Sequence, residues 1–325
     1  MMHRMIFRLG YVAMTLSLED CSPSGMVTLS ILNRLPDDAA KLYRLRRVAK
    51  KNLLNTLRIL RYNKALDIDV YRLTSRLIPL ATHPAAQDWN YAAEFGDELR
   101  EIGDFIKENN MRVSAHPDHF TLLNSKSGKV LEDSIRDLDF HVRIFEAMGL
   151  EDYRYKLVQH VGGLYDSRED SLERFRVSFV KLPDRIRNRI ILENDDKCYS
   201  TTDVLMLCRQ LNIPMVLDVH HNSCLPGNEK LDKVLLGIFD TWNGEYFRPK
   251  VHFSSPKSPK EFRSHADFIE LEEFLGFLEI ARGAGKDFDV MLEAKNKDQA
   301  LLKLSGQLSE VPGVKRINTG EFELD

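Results

Sequence analysis

Six histidines and three carboxylates recur at equivalent places, just after short apolar runs. They are His83 in Ala81-Thr-His83-Pro84, His116 in Val113-Ser-Ala-His116-Pro117, and His160 in Leu157-Val-Gln-His160. Glu193 closes Ile191-Leu-Glu193, Asp218 and His221 lie in Pro214-Met-Val-Leu-Asp218-Val-His-His221-Asn222, and His252 closes Lys250-Val-His252. His265 lies in the loop that follows, and Glu293 ends Met291-Leu-Glu293. A carboxylate buried at the end of an apolar strand is costly unless a cation or a donor meets it. Three carboxylates gathered in one place resist ionising together without cations between them. Imidazole and carboxylate together suit zinc, manganese or iron(II). Nine ligands are more than one ion can use, so two or three divalent ions are expected. Clustered divalent ions activate water and clamp both oxygens of a phosphoryl displacement. Phosphodiester hydrolysis is therefore the first reading. Metal-dependent sugar isomerisation or epimerisation is the alternative, and the histidine-rich count leans against it. For Asp218 alone, a helix-capping role beside two surface histidines stays open.

The elements that must position these residues alternate along the chain. Strands are predicted at Met5–Val12, Asp69–Thr74, Met111–His116, Tyr155–Val161, Arg189–Asn194, Pro214–Asp218, Pro249–Phe253 and Asp287–Glu293, from apolar runs rich in β-branched residues. Helices are predicted at Ala39–Asn63, Tyr91–Asn109, Leu131–Met148, Asp170–Leu182, a stretch capped by Ser200 or Thr201 and ending at Leu211, Glu229–Asp240, Glu270–Gly283 and Lys297–Leu308. Ala13–Asp38 reads as a loop, and Val314–Leu324 as a terminal strand or clamp. Eight strand–helix units point to an α/β fold, a (β/α)8 TIM barrel over residues 1–325 as a single domain. In such a barrel the carboxyl ends of all strands converge on one face, which brings the nine residues together.

Composition excludes several classes. Hydrophobic residues at 43% and charged residues at 29% describe an ordinary globular protein, and a net charge of −3 marks no overall polyanion binder. Cys21, Cys198, Cys208 and Cys224 form no close pair, which reads as reduced thiols in a cytoplasmic protein. No run approaches the ~18 apolar residues of a membrane span, and charge interrupts Met1–Arg8 too early for a signal peptide. No membrane and no obligate protein partner is expected. Nine Lys/Arg between Lys41 and Lys64, with no acid among them, read equally as a phosphate-binding rim or as a solvated helix face. Lys257, Lys260 and Arg263 add positive charge after the seventh strand, and Tyr11, Phe120 and Tyr165 could stack on a base.

Arg8-Leu-Gly-Tyr11, Leu57-Arg-Ile-Leu-Arg-Tyr-Asn63, Ser114-Ala-His-Pro117, Leu192-Glu-Asn-Asp195, Pro249-Lys-Val-His252 and Glu293-Ala-Lys295 resemble, in order, segments of the ultraviolet damage endonucleases. The resemblance runs from about residue 8 to 297, leaving the helix and extension of 298–325 outside. It implies a metal-dependent barrel related to the endonuclease IV group. Such an enzyme nicks damaged double-stranded DNA 5′ to pyrimidine dimers or 6-4 photoproducts, with some members acting at abasic sites, and leaves a 3′-hydroxyl. Carried over residue by residue, it implies His83, His116, His160, Glu193, Asp218, His221, His252, His265 and Glu293 as metal ligands, with His221 selected over His220. Catalysis falls to Glu193, Asp218, Glu293 and Lys250, the last as a carboxylated lysine or a phosphate contact. Manganese is the first expectation, with zinc or magnesium as alternatives. Tyr11 falls at a lesion pocket, His119 and Phe120 at a pair that probes the duplex, and Lys257 and Lys260 on DNA. The pair is His-Phe here where some relatives carry Gln-Tyr, and Thr15 stands where some carry asparagine.

Overall fold

The computed structural model describes residues 4–86 and 88–325, so the part of the N-terminal reading that falls on Met1–His3 lies outside the described residues. Eight short strands form the centre: β1 (Met5–Val12), β2 (Val70–Leu73), β3 (Arg112–Ala115), β4 (Leu157–His160), β5 (Ile190–Glu193), β6 (Met215–Asp218), β7 (Lys250–Phe253) and β8 (Phe288–Leu292). They pair in parallel in chain order, and β2 also pairs with β1, which closes a (β/α)8 barrel. Helices α1 (Leu29–Leu32) and α2 (Asp38–Ala65) follow β1, and α3 (Tyr91–Glu94) and α4 (Gly96–Glu108) follow β2. Then come α5 (Gly128–Ala147), α6 (Arg168–Val180), α7 (Asp184–Arg187), α8 (Thr201–Leu211), α9 (Val219–Cys224), α10 (Leu231–Asp240), α11 (Leu271–Ala284) and α12 (Lys297–Leu308).

Local sequence explains most of these. Along α2, Leu45, Ala49, Leu53, Leu57 and Leu60 recur at three and four residues and bury one face. Ser200 and Asp203 cap α8 reciprocally. Three expectations change, and the expected terminal strand is extended to two. The helix predicted from Tyr91 breaks at Phe95, whose backbone leaves the helical region (φ −104°, ψ 25°) while its ring is buried. The long loop after β1 holds α1, started by the Thr28 side chain. The short helices α7 and α9 fall between the predicted elements, because so short a turn shows no periodicity. The tail forms two strands, β9 (Val314–Arg316) and β10 (Glu321–Leu324), and β10 pairs antiparallel with Met5–Arg8. Since β8 occupies the other edge of β1, the hairpin fills the start of the β1–β2 seam before β2 joins at Gly10.

Strand alternation sends every second side chain into the lumen. At the amino ends of the strands, Asp289 is buried between Arg8 and Arg112: Arg8 Nε lies 2.7 Å from Oδ1, and Arg112 Nη1 2.7 Å from Oδ2. Arg112 also lies over the Trp242 ring, which packs with Val158, Ile191 and Val216. Gly10 is required in this wall, because a Cβ there would stand 2.3 Å from the Val70 carbonyl oxygen. At the carboxyl ends the same faces carry Arg72, His116, His160, Glu193, Asp218 and His252, with Glu293 just beyond β8.

Candidate metal centre

Glu193 ends β5 fully buried, and the neighbouring strands deliver histidines to both of its oxygens. His252 Nδ1 lies 3.0 Å from Oε1, and His116 Nε2 lies 3.2 Å from Oε2 with His160 Nε2 at 3.9 Å. The side chains of His116, His160 and Glu193 can place ligand atoms within 4.8 Å of one another, and so can those of Glu193, Asp218, His252 and Glu293. Two clusters therefore share one carboxylate.

Asp218 serves twice. Its Oδ1 accepts the His221 N–H at 2.7 Å as the cap of α9, while Oδ2 has no hydrogen-bond partner. The capping alternative is met by one oxygen, and a ligand role for the other is compatible with it. That single turn of helix swings His221 to 3.5 Å from Glu193 and 3.7 Å from Asp218. His220 turns away, buried with its Nε2 3.8 Å from the Cys224 thiol. Asn194 braces the arrangement: its amide exchanges hydrogen bonds with the Asp218 backbone at 2.9 and 3.0 Å, and its carbonyl lies 3.0 Å from His221 Nδ1. His265 reaches the backbone oxygen of Glu293 at 2.8 Å and its carboxylate at 3.9 Å.

The electrostatics ask for cations. Burial raises the Glu193 carboxyl, but His252 and His160 outweigh it and hold Glu193 well below the usual carboxylate range. Asp218 goes the other way: burial, reinforced by Glu193 and Glu293, pushes it well above that range despite His221. Burial pushes His252 down to about 4, which leaves a neutral imidazole. Asp218 Oδ2, His252 Nε2 and His160 Nδ1 are buried polar atoms without a hydrogen-bond partner. The clustered carboxylates and imidazoles, with Asp218 Oδ2 unpartnered among them, fit divalent ions bound by N and O donors.

Lys250 is buried on the lumen face of β7, two residues before His252, and donates to Ser114 Oγ at 3.0 Å. Burial, with Arg112 and Arg72 adding to it, takes its ammonium well below the usual lysine range.

Other expected residues fall elsewhere. His83 joins neither cluster among the described residues; it stands ten positions past the end of β2, and its Nδ1 accepts the Ala85 N–H at 3.0 Å. Tyr11 offers no face to a base: it points outward from β1, is fully buried, donates its hydroxyl to Asn63 and packs edge-on against Tyr71. Phe120 is 70% exposed and lies against His119, ring centroids 3.9 Å apart. Lys257 pairs with Glu261 at 2.7 Å, and Lys260 is exposed. Six of the nine cations on and around α2 are ion-paired: Lys41 with Asp38, Arg46 with Glu94, Lys50 with Glu98, Lys51 with Asp20, Arg61 with Glu101 and Lys64 with Asp69. Most of that run is thus ion-paired within the protein, three of the pairs fastening α2 to α3 and α4.

The cluster lies at the foot of a cleft of about 300 Å³ lined by Arg72, His116, His160, Glu193, His221 and Glu293. The segment 116–121 forms a ridge beside it and also borders hollows of about 240 and 580 Å³. Arg72, absent from the residues expected on sequence grounds, reaches the cluster from β2 and is salt-bridged to Glu293. Its signal in the sequence is a cation inside the apolar run Val70-Tyr-Arg-Leu73, a residue type that ligates no metal.

The family described as UV-endonuclease UvdE matches residues 7–325. This carries the likeness past residue 297, where the sequence motifs stop, and takes in the β9–β10 hairpin. A UV DNA damage endonuclease of Bacillus thuringiensis subsp. konkukian (strain 97-27) is 42% identical over 321 residues, 98% of this chain and 100% of that protein. The crystal structure of SacUVDE superposes with a TM-score of 0.82 at 34% identity, covering 94% of this chain and 98% of that one. Endonuclease IV from Thermus thermophilus shares the fold, with a TM-score of 0.53 at 13% identity over 94% of this chain and 100% of that one.

Proposed function

The chain belongs to the UvdE family of UV endonucleases, and on that premise we propose that it nicks damaged duplex DNA immediately 5′ to pyrimidine dimers and 6-4 photoproducts, with abasic sites as a second substrate. The observation that carries this reading is the Glu193-centred double cluster, with Asp218 Oδ2 left unpartnered, at the foot of an open cleft beside an exposed aromatic ridge. In the hydrolysis a water oxygen bonds to phosphorus and the P–O3′ bond breaks. The 3′ oxygen takes up a proton and leaves as a hydroxyl, and the phosphate stays on the 5′ end of the downstream strand.

His116, His160 and Glu193 would hold one ion, and Glu193, Asp218, His252 and Glu293 a second, with His221 and His265 flanking. Bound there, divalent ions (manganese in this proposal, zinc or magnesium as alternatives) supply water activation and neutralise charge at the phosphodiester. Glu193, Asp218 and Glu293 fix the sites, and Asn194 holds Asp218 and His221 in register. Lys250, whose ammonium form burial disfavours, suits attack of its Nζ on CO2, which forms an N–C bond and releases a proton to give a carbamate. That carbamate would be a further carboxylate ligand. His119 and Phe120 would wedge the duplex where a dimer is poorly stacked, which lowers the cost of opening it. Lys257 and Lys260 would meet backbone phosphate. The unpaired Cys21, Cys198, Cys208 and Cys224 agree with work in the reducing cytoplasm.

Supercoiled plasmid, irradiated or not, incubated with the protein and manganese or magnesium, tests the proposal. Nicking confined to irradiated plasmid and abolished by chelator supports it. Equal nicking of both plasmids, or none by metal-loaded protein, rejects it, and the latter with turnover of a sugar would select the isomerase alternative.

A further inference from the structure

We propose that Arg72 is a catalytic residue of this cleft, its guanidinium gripping the phosphodiester being cut and meeting the negative charge that builds on it. The proposal rests on the phosphodiester reading above. Arg8, Arg72 and Arg112 project from β1, β2 and β3 into the barrel lumen, and they differ in how their donors are used. Arg8 gives both Nε and Nη2 to Asp289. Arg112 bonds Asp289 and the Arg248 carbonyl and lies over the rings of Trp242 and Phe247. Both are committed to Asp289 at the opposite, amino end of the barrel, away from the cleft. Arg72 makes a single side-chain hydrogen bond among the described residues, from Nη1 to Glu293.

A guanidinium carries five N–H donors, so Arg72 has most of its fork to spare. None of the spare donors is among the buried unpartnered atoms, and the residue lines the cleft, so they are reached from it. Its side chain is nevertheless only 14% exposed, tethered by a salt bridge to a residue of the metal cluster. A largely buried cation with unspent donors is expensive unless a partner arrives. Two non-bridging oxygens of a phosphodiester are the planar, bidentate acceptor that an arginine fork matches and a lysine does not. The Glu293 tether holds the fork in place before the substrate comes, which is what electrostatic stabilisation of a transition state requires.

A role confined to holding Glu293 is the competing account, and two variants separate them. Arg72→Gln keeps a donor for Glu293 and loses the charge; Arg72→Lys keeps the charge and loses the fork. Each is measured for metal content, for binding of inorganic phosphate to the manganese-loaded protein by calorimetry, and for single-turnover nicking of irradiated DNA. The proposal expects Arg72→Gln to keep wild-type metal, bind phosphate at least about ten-fold more weakly and nick on the order of 10²–10³ slower, the range for losing one transition-state donor. Arg72→Lys should recover phosphate binding without the full rate. Metal lost in step with rate would show that Arg72 serves only Glu293, and unchanged phosphate affinity would overturn the clamp. Should the wild type fail to cut irradiated DNA while phosphate affinity still drops in Arg72→Gln, the DNA reading falls and the clamp stands.

Discussion

Glu193 touches both halves of the cluster, so its replacement should cost more than that of any flanking ligand. Glu193→Gln should leave the fold intact, since the amide fills the same space, yet lose metal from both sites and reduce nicking below detection. Metal analysis of protein purified without chelator checks this, and wild-type metal content would remove Glu193 from the centre. Asn194 hydrogen-bonds Asp218 and His221. Asn194→Ala should weaken metal binding by about 10–100-fold, the usual cost of an outer hydrogen-bonding partner, read by titrating metal against nicking. Lys250→Arg keeps a positive charge and cannot form the carbamate, so it should fail to nick. Intact mass measured under non-acidic conditions should show one added CO2 on the wild type only. An unmodified Lys250 whose arginine variant nicks normally would leave the phosphate-contact role.

At the scale of elements, the ridge 116–121 and the β1–α2 contact predict opposite behaviour for two aromatics. Phe120→Ala should lower affinity for damaged duplex by about 1–3 kcal/mol, the worth of a stacked base, with unfolding unchanged because the ring is exposed. Tyr11→Phe should instead destabilise by about 1–3 kcal/mol, because it leaves the buried Asn63 acceptor unpaired, with lesion preference unaltered. Binding and melting measured on both variants decide each. The difference shows where sequence is legible. His116, His160, Glu193, Asp218, His252 and Glu293 stand at or within one residue of strand ends, and barrel geometry alone brings such positions together. His83 stands ten residues beyond β2, where the loop's course depends on contacts that no periodicity records. The α8 cap is readable because local chemistry sets it. The partners of the α2 cations are not, because Glu94, Glu98 and Glu101 belong to other helices and meet α2 only on folding.

In the whole molecule, one end of the barrel is built for stability and the other for chemistry. Burial raises the Asp289 carboxyl, but Arg8 and Arg112 hold it net below the usual range. The folded pKa is therefore below the unfolded value of about 3.9. That ion pair contributes fully above about pH 4, and its contribution is lost as pH falls through the folded pKa. Asp289→Asn leaves two arginines facing no carboxylate and should cost about 3–5 kcal/mol at neutral pH, a deficit that narrows below about pH 4 in urea unfolding. Nicking chemistry at the opposite end should be disturbed far less than stability.

The account turns on the Glu193 cluster being a metal centre that cuts only beside damage. A duplex carrying one pyrimidine dimer, labelled at its 5′ end and incubated with excess manganese-loaded protein, tests this most directly. One cut at the phosphodiester 5′ to the dimer is predicted, with an end that a polymerase extends, no cut in the undamaged duplex, and no cut by Glu193→Gln. Equal cutting of damaged and undamaged duplex, or undiminished cutting by Glu193→Gln, would contradict it.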